Sequence, residues 1–229
     1  MESALKMIVD EGVKSLGIRG IYVRIDGVSN KGDNAEFRAW QAPVLEDVRT
    51  RLLALPDIGS DALVGGFRAL HAKVGVTSRK IQASPEALYR MVRSRGTLPQ
   101  VNLVVDIYNT ISVKYGLALG AHDIAHIDGN VYLRLTTGSE AFTPIGGEPG
   151  KVPESGVFSY IDDANEVICY LDVKQVEKTK VVPESTDVFY VVQGNEVSDF
   201  ALIKDATDEL IEKTIRWCGG KAQVLAEVR

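Results

Sequence analysis

The sequence predicts an α+β fold, and two observations carry that prediction. Helical spacing of apolar residues dominates up to Tyr115, and strand-like alternation dominates from Ile127 onward. Such segregation is unlike the strand–helix alternation of a doubly wound sheet. At 229 residues the chain fits a single domain, 1–229, with a mixed or antiparallel sheet core and flanking helices. Hydrophobic residues make up 45% and charged residues 25%, a globular mix that excludes collagen-like, coiled-coil and disordered classes.

The elements follow in order. Residues 3–15 read as a short helix, and Ile18 to Ile25 alternate as a strand. From Pro43 to Leu55, Val44, Val48 and Leu52 fall at helical spacing, and Ser60 to Lys73 repeat this with Leu63, Phe67 and Leu70. Ser84-Pro85-Glu86 is the clearest helix start: Ser84 as cap, Pro85 in the first turn, Glu86 at the positive dipole end. Gly96 stops that helix. The apolar run after Pro99 predicts a buried helix to Tyr115. Val131 to Leu135 is a strand. Val157 to Ile161 and Val167 to Leu171 form a hairpin around Asp162–Glu166. Val188 to Val192 is a further strand, and Lys204 to Cys218 a helix ended by Gly219-Gly220.

No apolar run approaches the roughly 20 residues of a membrane helix. The opening residues mix charge into their apolar positions and lack a secretory h-region, so a cytoplasmic protein is expected. Cys169 and Cys218 have neither CxxC nor zinc spacing and read as buried thiols. Net charge is −5, unevenly spread. Seven basic residues and one acid between Gly66 and Val105 give +6, which leaves −11 for the remainder. Such a segment can meet a polyanion locally; a solvated basic face is the plain alternative.

Two constellations stand out. Asn102, Asp106 and Asn109 sit at i, i+4 and i+7 of the apolar helix, on one face. A carboxylate and two amides in so apolar a helix need partners, so they staple a loop or line a polar cavity. The staple reading leads for Asp106 and the cavity reading for Asn109. His122-Asp123-Ile124-Ala125-His126 imitates a helical zinc motif, but Gly120 and Asp128-Gly129 leave barely two turns, and the third histidine, His71, has no ligand spacing. A turn with a capping Asp123 and surface histidines is the favoured reading. Gly146-Gly147 marks a tight turn and no dinucleotide site, and no GxSxG elbow occurs.

Several segments together resemble a known family. Thr77-Ser78-Arg79-Lys80, Ala83 to Leu88, Leu98 to Asn102, Val105-Asp106-Ile107-Tyr108-Asn109, Gly120 to Ile124 and Gly138 to Gly147 are similar, in order, to the B3/B4 domain of the phenylalanyl-tRNA synthetase beta subunit, and above all to its free-standing forms. The resemblance runs from about residue 70 to 192, with residues 1–69 expected to pack on that core. It implies an editing domain that hydrolyses the ester of a mischarged tRNA, acting in trans in the free-standing proteins. The partners implied are the tRNA acceptor end and the amino-acid moiety, with no membrane and no DNA.

By that resemblance Asn109 matches the editing asparagine, Tyr108 replaces a neighbouring threonine, and the family's editing histidine falls at Gly120. Glu177 matches the acid that reads the noncognate side chain. The departures favour a pocket for an amino acid other than tyrosine. The implied catalytic set is Asn109, Asp106 and Glu177. The substrate set is Asn102, Tyr108, Gly120, His122, Gly146 and Gly147. Phosphates would meet Ser78, Arg79, Lys80, Arg90, Arg93 and Arg95. An activated ester needs a positioned water, an oxyanion site made of amides or glycine-turn N–H groups, and a hold on the tRNA end, so no metal and no cofactor is expected. Two rival expectations are a non-catalytic tRNA- or amino-acid-binding module of the same fold, and a zinc hydrolase using His122 and His126.

Overall fold

The computed structural model describes residues 5–77, 79–148, 150 and 152–229. Two sheets stack with helices on the outer side of one of them. Strands β1 (Met7–Val9), β4 (Val131–Leu135), β5 (Phe158–Asp162), β6 (Val167–Tyr170) and β7 (Lys174–Gln175) form a five-stranded sheet in the order β1-β4-β5-β6-β7. Its β1–β4 pair is parallel and the others are antiparallel. Strands β2 (Arg19–Asp26), β3 (Ala118–Asp123), β8 (Asp187–Gly194) and β9 (Lys221–Val228) form an antiparallel sheet in the order β3-β8-β2-β9. The fold is therefore α+β.

Strands β2, β3 and β8 of the four-stranded sheet are covered on both faces while the edge strand β9 is largely exposed, and period-2 alternation sorts the side chains. Ile21, Val23 and Ile25 of β2, with Val188, Tyr190 and Val192 of β8, pack against the helices α5 (Leu103–Tyr115) and α6 (Phe200–Cys218). The intervening Tyr22, Phe189 and Val191 point to the other sheet, where they meet Phe158, Tyr160 and Ile168. Residues at this inter-sheet face of β3 and β8 thus lie opposite β5 and β6. A third apolar cluster joins α2 (Ala35–Leu53), α3 (Ala62–Lys73), α4 (Ser84–Arg95) and α5 through Leu52, Val64, Tyr89 and Val113.

Several elements depart from the sequence expectation. Residues 7–9 are strand, because pairing with β4 outweighs the local helical pattern; only one turn, α1 (Glu11–Lys14), is helical, capped by Asp10. Helix α2 begins at Ala35, with Asn34 as its cap, and runs through Pro43. Its early turns are tied to α5: Gln41 Nε2 donates to Thr110 Oγ1 at 2.8 Å, and Arg38 pairs with Asp106. Ser84 does not cap α4; the cap position is Ala83, and Ser84 is the first helical residue. Gly96 ends that helix in the left-handed conformation, as its position predicts (φ 72°). Strands β3, β7 and β9 were not expected from the pattern. Both cysteines are buried free thiols. Among the described residues, no helix is long and apolar enough to cross a membrane.

Candidate functional site

A cleft of ≈ 510 Å³ opens between the two sheets. Helix α4 supplies one wall through Ser84, Ala87 and Leu88, and α5 adds Tyr108 and Asn109. Strands β3 and β8 give the floor, with Gly120, His122, Val191 and Gln193. Tyr160 and Cys169 close it from β5 and β6, the β6–β7 turn brings Asp172, and β7 brings Gln175. The loop with Gly146 and Gly147 forms the rim.

The polar atoms in this cleft fall into two groups, those already satisfied and those left open. His122 is buried on the inter-sheet face of β3, stacked on Phe189 at 6.2 Å, with Nδ1 2.9 Å from Thr179 Oγ1. Burial pushes its imidazole down to about 3, so the ring is neutral at physiological pH. The Cys169 thiol is pushed far upward by burial and is not a ready nucleophile. Gln175 folds over Gly120: a Cβ built there would meet Gln175 Nε2 at 2.7 Å. The space a side chain at position 120 would need is thus filled by the Gln175 amide.

Asp172 lies in the three-residue turn between β6 and β7. Leu171 just before it is fully buried and left-handed (φ 56°), an unusual backbone for a branched residue. The Asp172 side chain is 1% exposed, and its Oδ1 is 2.8 Å from Nε2 of His71, itself 2% exposed in the last turn of α3. Burial opposes charge on His71, but the Asp172 carboxylate and hydrogen bond prevail and raise its pKa. Asp172 Oδ2 has no partner among the described residues. The same holds for Gln193 Nε2, whose amide oxygen accepts from Tyr160 Oη at 2.5 Å, and for Ser84 Oγ. Buried polar atoms are rarely left without partners, and here three such atoms belong to residues of one cleft.

The sequence-derived residues divide. Asn109, Tyr108, Gly120, His122, Gly146 and Gly147 line the cleft. Asn102 does not share the helical face. It caps α5, with Oδ1 accepting from Val105 N at 3.1 Å and Nδ2 donating to Val181 O at 3.0 Å. Asp106 turns away from the cleft. Its Oδ2 accepts from Arg38 Nη2 and its Oδ1 from Val101 N, both at 2.9 Å. Glu177 is exposed, outside the cleft lining, and Lys180 holds it below the usual carboxylate range. The Gly147 N–H is engaged within its own turn, donating to Pro144 O at 2.8 Å.

The histidine pair also corrects the expectation. His122 is a buried strand residue, while His126 is on a single 3₁₀ turn, 57% exposed and 3.3 Å from Asp123. Asp123 does cap that turn, accepting from Ala125 N at 3.0 Å. The two histidines are not one helical turn apart, so the zinc motif is not formed. Of the basic set, Arg79, Lys80, Arg90 and Arg95 are exposed. Arg90 is tied to Glu86 at 2.7 Å, which Arg68 also holds, and Arg93 donates to Leu55 O at 3.1 Å. Ser78 lies outside the described residues.

Sequence reasoning missed Asp172, His71, Gln193, Gln175 and the role of Ser84. His71 was weighed only as a metal ligand. The available signal was an acid directly after a fully apolar strand, Val167 to Leu171, where a buried carboxylate needs a reason.

The B3/4 domain family model matches residues 67–215, and the chain belongs to that family. It is similar to the phenylalanine–tRNA ligase beta subunit of Fusobacterium nucleatum, at 29% identity over 140 residues, 61% of this chain and 16% of that protein. The corresponding subunit of Aliivibrio fischeri is 20% identical over 189 residues, 76% of this chain and 23% of that protein. The chain thus spans less than a quarter of the length of these curated relatives. An N-terminal fragment of the phenylalanyl-tRNA synthetase beta subunit from Pyrococcus horikoshii has the same fold, with a TM-score of 0.52 at 14% identity, covering 96% of this chain and 51% of the fragment.

Proposed function

We propose that this chain is an aminoacyl-tRNA deacylase that acts in trans on mischarged tRNA. One observation carries the reading: a cleft large enough for an aminoacyl group holds buried polar atoms that have no partner among the described residues, next to the helix that bears part of the basic segment. The names of the relatives, tRNA ligase beta subunits, supply the substrate class.

The chemistry asked of the cleft is modest. An aminoacyl ester is already activated, so alignment of a water and donors for the developing oxyanion supply most of the acceleration. Asn109 offers an amide. His122 is neutral, and with Thr179 Oγ–H donating to Nδ1, its Nε2–H becomes a second donor for the oxyanion. The ribose hydroxyl next to the ester is suited to orient the water. Arg79 and Lys80 precede the cleft wall at Ser84 by only a few residues and would meet the acceptor-stem phosphates.

A second reading is a module of the same fold that holds tRNA or an amino acid without hydrolysis. It draws on the placement of Asp106 and Glu177, neither of which lines the cleft. One assay separates the two: incubation with a pool of mischarged tRNAs and identification of the released amino acid. Release of one amino acid well above the spontaneous rate is the expected result. Retention of bound, still-charged tRNA at the spontaneous rate would establish the binding module instead.

A further inference from the structure

The half-satisfied carboxylate has a function that follows from its surroundings. Asp172 is buried to 1% exposure, one oxygen is fixed by His71 at 2.8 Å, and the other meets nothing among the described residues. Leu88, Ala118, Val173 and Val191 give the cleft that Asp172 lines apolar walls. A carboxylate oxygen in such a place is costly unless a ligand brings it a donor, and a cationic donor compensates best. Gln193 Nε2, a donor of the same cleft that has no partner among the described residues, asks for the converse, an acceptor. A ligand with an ammonium group and a neighbouring carbonyl meets both demands.

We propose that Asp172 anchors the ammonium group of the ligand, with His71 as its positioning residue and Gln193 as donor to a ligand oxygen. On the deacylase reading above, on which this inference rests, the group held is the α-ammonium of the esterified amino acid. Asp172 then selects aminoacyl esters over acyl esters without an amine. His71 holds the carboxylate from α3, and the Glu86 carboxylate, bound by Arg68 and Arg90, also favours the charged form of His71.

The test uses the full chain and non-hydrolysable probes. These are 3′-amide-linked alanyl, seryl, valyl, phenylalanyl and tyrosyl adenosines, each beside a twin with an α-hydroxyl in place of the α-ammonium. Calorimetry on the wild type should show the best amine probe binding roughly ten- to a hundredfold tighter than its twin, as loss of a charge-assisted hydrogen bond implies. Asp172→Asn should close most of that gap while binding the hydroxyl twin as the wild type does, and His71→Gln should narrow it partly. Equal binding of the twins by the wild type overturns the proposal, even if Asp172→Asn abolishes hydrolysis, since the carboxylate would then act on water. If Asp172→Asn fails to fold, the wild-type gap alone decides. Release of amino acid from mischarged tRNA with no gap leaves the deacylase reading standing and this assignment fallen. No release and no probe binding removes both.

Discussion

Asp106 and Asp172 are both nearly inaccessible carboxylates, and they differ in one respect. Asp106 has both oxygens engaged, by Arg38 Nη2 and by the Val101 amide, and it joins α2 to the start of α5. Asp172 has one oxygen engaged, by His71, and the other open on a residue of the cleft wall. A fully partnered buried acid holds elements together, and a half-partnered one awaits something else. The contrast also sorts Glu86, held by two arginines, and Glu140, which receives Arg134 and the amides of Thr137 and Gly138, with the structural group.

The sharpest way to break this contrast is at Asp106. Asp106→Ala leaves the partly buried Arg38 with only Asp33 of its two carboxylate partners and frees the Val101 amide, so a loss of about 3 kcal/mol is expected. The denaturant midpoint measures it, and the folded fraction should keep its deacylation rate. Asn109→Ala, one turn further along the same helix, should do the reverse: roughly a tenfold to hundredfold loss of deacylation with stability nearly intact. If the melting point falls while activity holds, Asn109 belongs with Asp106.

The two buried histidines sharpen the comparison through pH. His122 stays neutral in the fold down to about 3, whereas in the unfolded chain it takes a proton near 6.5. Between those values the unfolded chain binds more protons, so stability falls as pH drops from about 6.5 toward 3. His122→Asn should flatten that part of the curve in stepped chemical denaturation. His71 acts with the opposite sign, because its pKa is raised: its contribution is complete below about 6.5 and fades as pH rises through the folded value. His71→Gln should therefore change the curve's slope on the alkaline side.

The smallest effect is expected at the basic edge. Reversing Arg79 and Lys80 to Glu should weaken tRNA binding several-fold and flatten its salt dependence, with hydrolysis of a minimal aminoacyl-adenosine ester unchanged. Equal damage to both substrates would move these residues into the cleft.

Much of the fold was legible because it rests on local signals. The β2 alternation, the Gly96 stop and the hairpin around Asp162–Glu166 all depend on neighbours in sequence. What was illegible depends on pairing across the chain. Met7–Val9 becomes a strand only because β4 lies next to it, and Lys221–Val228 only because β2 does. The site divided along the same line. Asn109 was visible as a polar residue in an apolar helix. His122 was misread as a surface residue because its burial comes from Phe189 and Thr179, 67 and 57 positions away. Asp172 and His71, 101 positions apart, show no spacing that could announce them.

The measurement closest to the central claim puts the two carboxylates side by side. Asp106→Asn and Asp172→Asn each remove one charge and keep the shape. Both would be assayed for stability by denaturant unfolding and for release of amino acid from the mischarged tRNA pool. Asp106→Asn should lose stability and keep activity, while Asp172→Asn should stay within about 1 kcal/mol of the wild type and lose most of its activity. The reverse pattern, or equal damage to both properties in both variants, would contradict the claim.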